Sequence, residues 1–326
     1  MIKRAAALWL ALLAGLFNAC EEKEHYDVTG VGPQVFLHMP LPEGNAPLAG
    51  VIARTPSGPL GTLQSAFPVN CTYRSPEEIR VSCEIDHSLV DPYNEANGTA
   101  YKKVDATSVS LFNNGMVTIK EGENLSSDSV KVLFSDNIRD QLTDEAGYLV
   151  PVKISSTSST LPVNPDKSTI YIRLDVKYTN IREGAGSSQV AGSLIADRGS
   201  WVATTESQVS SGSGASLFDG RTTTWNFAES PFTIDLDLGE EHHISGFRWT
   251  TQYGNYGAAY AAGGIAVQYS TDQATFADAG STSTLALESR DQFVVFYAPV
   301  KARYWRLTFA WDNNYRRIRE LDAYED

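Results

Sequence analysis

The chain has 326 residues, of which 42% are hydrophobic and 10% aromatic, with 25 glycines, 14 prolines and a formal charge of -13. That length fits two domains of roughly 100–200 residues each, and the apolar content excludes a mainly disordered chain. The acidic balance, with no basic run longer than the Arg316-Arg317 pair, excludes nucleic acid and disfavours acidic glycosaminoglycans, because a polyanion needs a stripe of cations to displace its counterions.

Residues 1–19 read as a cleaved export signal: Lys3 and Arg4 precede an apolar run at 5–17, and Ala19 is a small residue directly before Cys20. The apolar run is short of the roughly 20 residues that span a bilayer. Losing Lys3 and Arg4 takes the formal charge from -13 to about -15. Ala19-Cys20 resembles a bacterial lipobox, which implies that the Cys20 thiol is acylated and the chain is lipid-anchored. The acidic tether at 20–27, with Glu21, Glu22 and Glu24, resembles the signal that sends Bacteroidetes lipoproteins to the outer leaflet of the outer membrane, facing the cell exterior.

Residues 28–178 predict an antiparallel, immunoglobulin-like β-sandwich. Ile170, Ile172, Leu174, Val176 and Tyr178 alternate with Tyr171, Arg173, Asp175 and Lys177, the period of a half-buried strand. Val130, Val132 and Phe134 repeat the pattern, as do Tyr148, Val150, Val152 and Ile154, with turn-formers such as Asn113-Asn114-Gly115 between. Cys71 and Cys83 flank the polar stretch 74–78. A hairpin turning near residue 77 would bring them opposite each other for a cross-strand disulfide; the alternative is two small buried apolar side chains. The blocks at 81–86, 93–94, 97–99, 117–122 and 148–152 resemble domain of unknown function 1735 of Bacteroidetes surface lipoproteins, which implies a platform role.

The small-residue run at 183–188 predicts a flexible linker at 179–190. A second set of strands at 232–238, 244–249, 265–269 and 304–309 makes the chain all-β, with two sandwiches in series. Within 191–326, six blocks stand in order: 217–225 around Asp219-Gly220, then 232–239, 244–249, 269–272, 302–307 and 318–321. Together they resemble the coagulation factor 5/8 type C (discoidin) domain, a galactose-binding-like jelly roll.

An Asp-Gly turn supplies a carboxylate and a backbone free to adopt positive φ, so that oxygens can converge on a hard cation. The resemblance implies a structural Ca2+ there, with Asp219, Thr224 and Glu320 as ligands, while Arg221 departs from the usual pattern. Trp225, Trp249 and Trp305 fall on or beside strands and are assigned to the core.

The segments 253–260 and 311–316 combine aromatic rings with amides and a guanidinium, the mixture a sugar needs: rings stack on its C–H face and polar groups pair with its hydroxyls. Candidate ligand contacts are Phe227, Glu229, Gln252, Tyr253, Asn255, Tyr256, Tyr260, Trp311, Asn313, Asn314, Tyr315 and Arg316. Related carbohydrate-binding modules often carry an arginine where Gln252 stands, so galactose specificity does not follow.

Neither Asp235 with Asp237 nor Glu240 with Glu241 reads as a catalytic acid pair, and adjacent His242 and His243 lack a third ligand at useful spacing. No nucleophile motif stands out. The expected function is therefore non-catalytic capture of oligosaccharide at the cell surface, beside separate glycoside hydrolases and a glycan transporter. The alternative is an adhesin or scaffold gripping a protein or lipid head group through the same segments.

Overall fold

The computed structural model describes residues 32–37, 47–221, 223–251, 261–311 and 316–326. It is almost entirely β, with two modules in series. Among the described residues no helix is long and apolar enough to cross a membrane.

In the first module the alternation at 170–177 does what its period dictates. Ile170, Ile172, Leu174 and Val176 are buried, while their neighbours face outward. Strand Thr169–Tyr178 lies mid-sheet, antiparallel to Tyr148–Thr157 and parallel to Leu48–Thr55. The parallel pair departs from the purely antiparallel expectation. Opposite this sheet, Ser65–Phe67, Val130–Phe134 and Val109–Leu111 form a second, and Val35–Leu37 pairs with Val69–Cys71. One core, mainly aliphatic, fills the space between them.

Of the two readings of Cys71 and Cys83, the structure shows the unbridged one. Cys71 and Cys83 are both free and buried. The hairpin that would have apposed them is absent: the strand holding Cys71 pairs with Val35–Leu37, whereas Ile79–Ile85, holding Cys83, pairs with Met116–Ile119 and Tyr148–Thr157. Both act as small apolar core side chains, and burial pushes the Cys83 thiol up to about 12.

The expected flexible linker is instead part of the fold. Thr179 and Asn180 are buried, and Ile181–Arg182 pairs antiparallel with Phe296 and Val295 of the second module. The Thr179 N–H donates to the Arg54 carbonyl at 3.0 Å on one side. On the other, the Asn180 N–H donates to Ala279 O at 2.7 Å and its Nδ2 to Ala298 O at 2.7 Å, while the Ala298 N–H donates back to Oδ1 at 2.9 Å. Gly280, at φ +118°, sits so close that a Cβ there would lie 2.3 Å from Thr179 Oγ1. Tyr178, expected on the buried face, is 53% exposed: it still pairs with Arg54, but the neighbouring strand Tyr148–Thr157 reaches only as far as Leu174.

The second module is built on two long strands, Phe232–Thr250 and Asp291–Ala310, paired along most of their length. Register shifts between Asp237 and His242, and again between Ile244 and Gly246, let them curve around one core. Glu320–Glu325 and Gly264–Ser270 flank them, and a three-stranded sheet of Val209–Ser211, Trp225–Phe227 and Arg317–Ile318 closes the opposite side. Trp225, Trp249 and Trp305 are buried in that core as expected. Asp235 and Asp237 are not loose surface acids: each takes both guanidinium arms of an arginine, Arg306 and Arg303 respectively, at 2.7–3.1 Å.

Candidate functional site

The strand ends decide where the polar, ring-bearing segments emerge. The N-terminal stem of 252–260 is tied to Arg290 and Arg319. Thr251 donates its N–H to Arg290 O at 2.8 Å, and the Arg319 N–H donates to Thr250 O at 3.0 Å. Its C-terminal stem is tied to the start of the second segment, where the Gly263 N–H donates to Ala310 O at 2.9 Å. Arg316, which ends that second segment, accepts from the Phe227 N–H at 2.8 Å and donates through Nη1 to Ala228 O at 2.8 Å. The stems of both segments therefore stand at one end of the module, beside Glu229.

Gln292 is the bolt that holds this end. It is buried, accepts from Trp249 Nε1 at 3.2 Å and from the Ala262 N–H at 2.7 Å, and returns Nε2 to Ala262 O at 3.0 Å. One amide side chain thus satisfies a core indole and both backbone groups of a loop stem. Nothing in the sequence pattern singles it out.

Two candidate contacts are corrected. Phe227 and Trp311 are core residues, 3% and 4% exposed. Phe227 stacks on Phe232 with centroids 3.8 Å apart, and Trp311 stacks on Phe232 at 5.5 Å. A ring next to a loop is drawn inward when a neighbouring strand offers it an apolar face. Glu229 is exposed, its Oε1 accepting from the Gln208 N–H at 2.8 Å, and Arg316 is half-buried. Gln252, Tyr253, Asn255, Tyr256, Tyr260, Asn313, Asn314 and Tyr315 lie outside the described residues, as does Cys20.

The same end gathers cations that the sequence reading missed. Arg290 and Arg317 lie near enough to Arg319 to depress its pKa together with burial, which is the larger cause. Their spacing along the chain hides this. Only the pairing of Arg317–Ile318 with Trp225–Phe227, and of Thr251 with Arg290, brings them to one rim.

At the Asp-Gly turn, Asp219 accepts the Arg221 N–H through Oδ1 and the Thr223 hydroxyl through Oδ2, and Thr224 Oγ1 accepts from Asn226 Nδ2 at 2.9 Å. Glu320 comes from the last strand. Its Oε2 receives Arg198 Nη1 at 3.0 Å, while its Oε1 is buried with no hydrogen-bond partner among the described residues. Burial raises the Glu320 pKa, and the negative charges of Asp322 and Asp219 add to the rise. A buried, unpaired carboxylate oxygen within electrostatic reach of a second carboxylate fits a hard cation. Arg198 also contacts Asp322 Oδ1 at 2.9 Å, and Arg248 takes Asp322 Oδ2 through Nε and Nη2 at 3.1 and 2.7 Å.

A family model of the F5/8 type C domain matches residues 202–321. The second module is an F5/8 type C domain. A model of an N-terminal domain matches residues 57–161, inside the first module. A two-domain protein of unknown function from Bacteroides fragilis has the same arrangement: 18% identity, 90% of this chain and 94% of that one covered, TM-score 0.62. The F5/8 type C domain is also similar to two Clostridium perfringens modules. One is the family 32 carbohydrate-binding module of NanJ, solved with galactose (20% identity, 41% of this chain and 98% of that one, TM-score 0.34). The other is a family 32 module of a family 89 glycoside hydrolase, solved with GalNAc-β-1,3-galactose (20% identity, 39% and 96%, TM-score 0.34). Comparison with curated proteins found no match.

Within the F5/8 type C domain, the arginine partners leave neither Asp235 nor Asp237 placed to act as a general acid. Arg303 holds Asp237 below the usual carboxylate range. His242 Nδ1 lies 3.1 Å from Glu325 Oε1, and no group of three His, Cys, Asp or Glu side chains among the described residues is placed to hold a metal.

Proposed function

We propose that the F5/8 type C domain binds a saccharide between segments 252–260 and 312–315, and that the chain is a non-catalytic glycan-capturing lipoprotein. The observation that supports this reading is the convergence of both stems at one end of the module, beside Glu229 and an arginine rim. Tyrosines of the segments stack on the sugar, while their amides, Glu229 and Arg316 pair with its hydroxyls. In this reading Cys20 carries the lipid anchor, the protein faces outward from the outer membrane, and captured glycan passes to separate hydrolases and a transporter. Weak contacts suit a protein that must release its catch.

The test is a glycan array followed by calorimetric titration of the best ligand, with Tyr256→Ala and Tyr315→Ala compared with the parent. Affinity is expected to fall at least about fivefold in each variant. Silence of the parent across plant and host glycans, together with retention on lipid vesicles or outer-membrane proteins, would replace the reading with adhesion. Fractionation of cells expressing Cys20→Ser should move the protein out of the membrane pellet.

We also propose that Asp219, Thr224 and Glu320 hold a structural Ca2+, which would tie the last strand to the Asp-Gly turn. Added Ca2+ should raise the Tm of the parent and leave Glu320→Gln unchanged; an equal response of both proteins would refute the site.

A further inference from the structure

We infer that the cleft between the two modules is a second saccharide site, independent of the one at the far end. The cleft is open to solvent, holds about 820 Å3 and is walled by Arg54, Glu145 and Tyr178 of the first module and Tyr269, Asp278 and Lys301 of the second. That volume lies within the roughly 300–1,000 Å3 of small-molecule sites.

Tyr178 is its main feature. The residue is 53% exposed, yet its hydroxyl is anchored, donating to the Thr143 carbonyl at 2.9 Å. A tyrosine whose hydroxyl is tied down presents a fixed apolar face, so a sugar that stacks there loses little of the binding energy to ordering the ring. Tyr269, across the cleft, is held by its contact with Trp305 at 5.9 Å.

The charges select the ligand. Arg54 Nη1 is taken by the carbonyls of Arg139 and Asp140 at 3.0 and 3.3 Å, and Lys301 pairs with Glu241 at 3.1 Å. Glu145 and Asp278 match the two cations in the same lining, so the cleft carries no net charge to draw an anion. Glu145 and Asp278 add carboxylate oxygens, which accept from hydroxyls. A fixed ring, acceptors and a lining of balanced charge suit a neutral, hydroxyl-rich ligand. A peptide strand fits poorly: on the neighbouring edge strand Ala277–Thr282, the Ala279 carbonyl already accepts the Asn180 N–H.

The cleft is also preformed. The same Asn180 bonds that close the junction hold the two walls at a set distance, so no domain closure is needed before binding.

The experiment runs the full chain through native gels cast with soluble galactomannan, xylan, xyloglucan, arabinogalactan or α-glucan, with polygalacturonate as the anionic control. Tyr178→Ala, Tyr178→Phe, Asp278→Asn and Tyr256→Ala are compared with the parent. Tyr178→Ala should weaken retardation by at least one neutral polysaccharide about fivefold or more, and Tyr178→Phe, which keeps the ring, within about twofold of the parent. Asp278→Asn, which keeps an Oδ1 to accept the Gly280 N–H, should weaken it as well. If Tyr178→Ala and Asp278→Asn migrate like the parent while Tyr256→Ala is released, the cleft site is wrong and the distal site stands. The opposite pattern supports the cleft and removes the distal reading. Retardation of the parent by none of the neutral polysaccharides, or by polygalacturonate alone, overturns the cleft proposal.

Discussion

The two ends of the F5/8 type C domain are held by the same device put to different use. At the far end, Gln292 spends one buried amide on Trp249 and both backbone groups of Ala262, and so anchors the stem of a segment. At the near end, Asn180 uses its amide on both backbone groups of Ala298, and its own N–H and C=O on Ala279 and Tyr297, and so joins one module to the other. A single side chain that both donates and accepts can finish a sheet edge where no strand remains to pair with it. The far end positions chemistry inside a domain; the near end turns two domains into one unit with a cleft between them.

The sharpest break in that comparison comes from Trp311. Were it a ligand platform, Trp311→Ala would abolish binding and leave the fold untouched. Because it is packed on Phe232 and Phe309, the substitution should cost about 3–5 kcal/mol of stability, seen as a lower urea midpoint. Retention of the parent midpoint would return Trp311 to the surface.

Next in size is Asn180→Ala, which leaves the Ala298 N–H and C=O without partners at the junction. A loss of about 2–3 kcal/mol is expected, with chemical unfolding splitting into two transitions and small-angle scattering showing a wider spread of shapes. A single unchanged transition would mean that the modules are coupled through other contacts.

The cysteines test the first module. With both thiols buried and unbridged, dithiothreitol should leave the Tm where it is, and a thiol reagent should label two cysteines per chain only after unfolding, beyond any contribution from Cys20. A Tm drop on reduction would point to a bridge.

The smallest effect is electrostatic. Hydrogen bonds from Lys153 and Ser88 lower the Asp86 pKa from 3.8 to about 2. Its contribution is present above pH 3.8, declines as pH falls and is gone below about 2, so stability should drop across that window. Asp86→Asn should flatten part of the drop, modestly, because the pair is near solvent. Identical acid profiles for the two proteins would show that Lys153 adds nothing.

Much of this architecture could be read along the chain. Alternation at 170–177 marks a strand because side chains in a β-strand point to opposite faces whatever the partner, and an Asp-Gly turn marks a reversal because of glycine's backbone. The candidate far-end site was legible only in part. Trp311 stands in a polar, ring-rich segment, yet it faces inward because Phe232 and Phe309 present it a wall. The junction was read as a flexible connector from its glycines and serines, while Asn180, which decides its rigidity, looks like any turn residue.

Local chemistry, then, sufficed for what depends on near neighbours: the all-β character, the two modules, the turn, and three core tryptophans whose size and setting leave them nowhere else to go. Partners distant in sequence decided the remainder, namely the free cysteines, the arginine rim, the Gln292 and Asn180 amides and the cleft beside Tyr178. A hydrogen bond or a stacked ring is satisfied by whichever group folding brings within reach, and residues 118 positions apart, such as Asn180 and Ala298, carry no mark of that meeting in their local pattern.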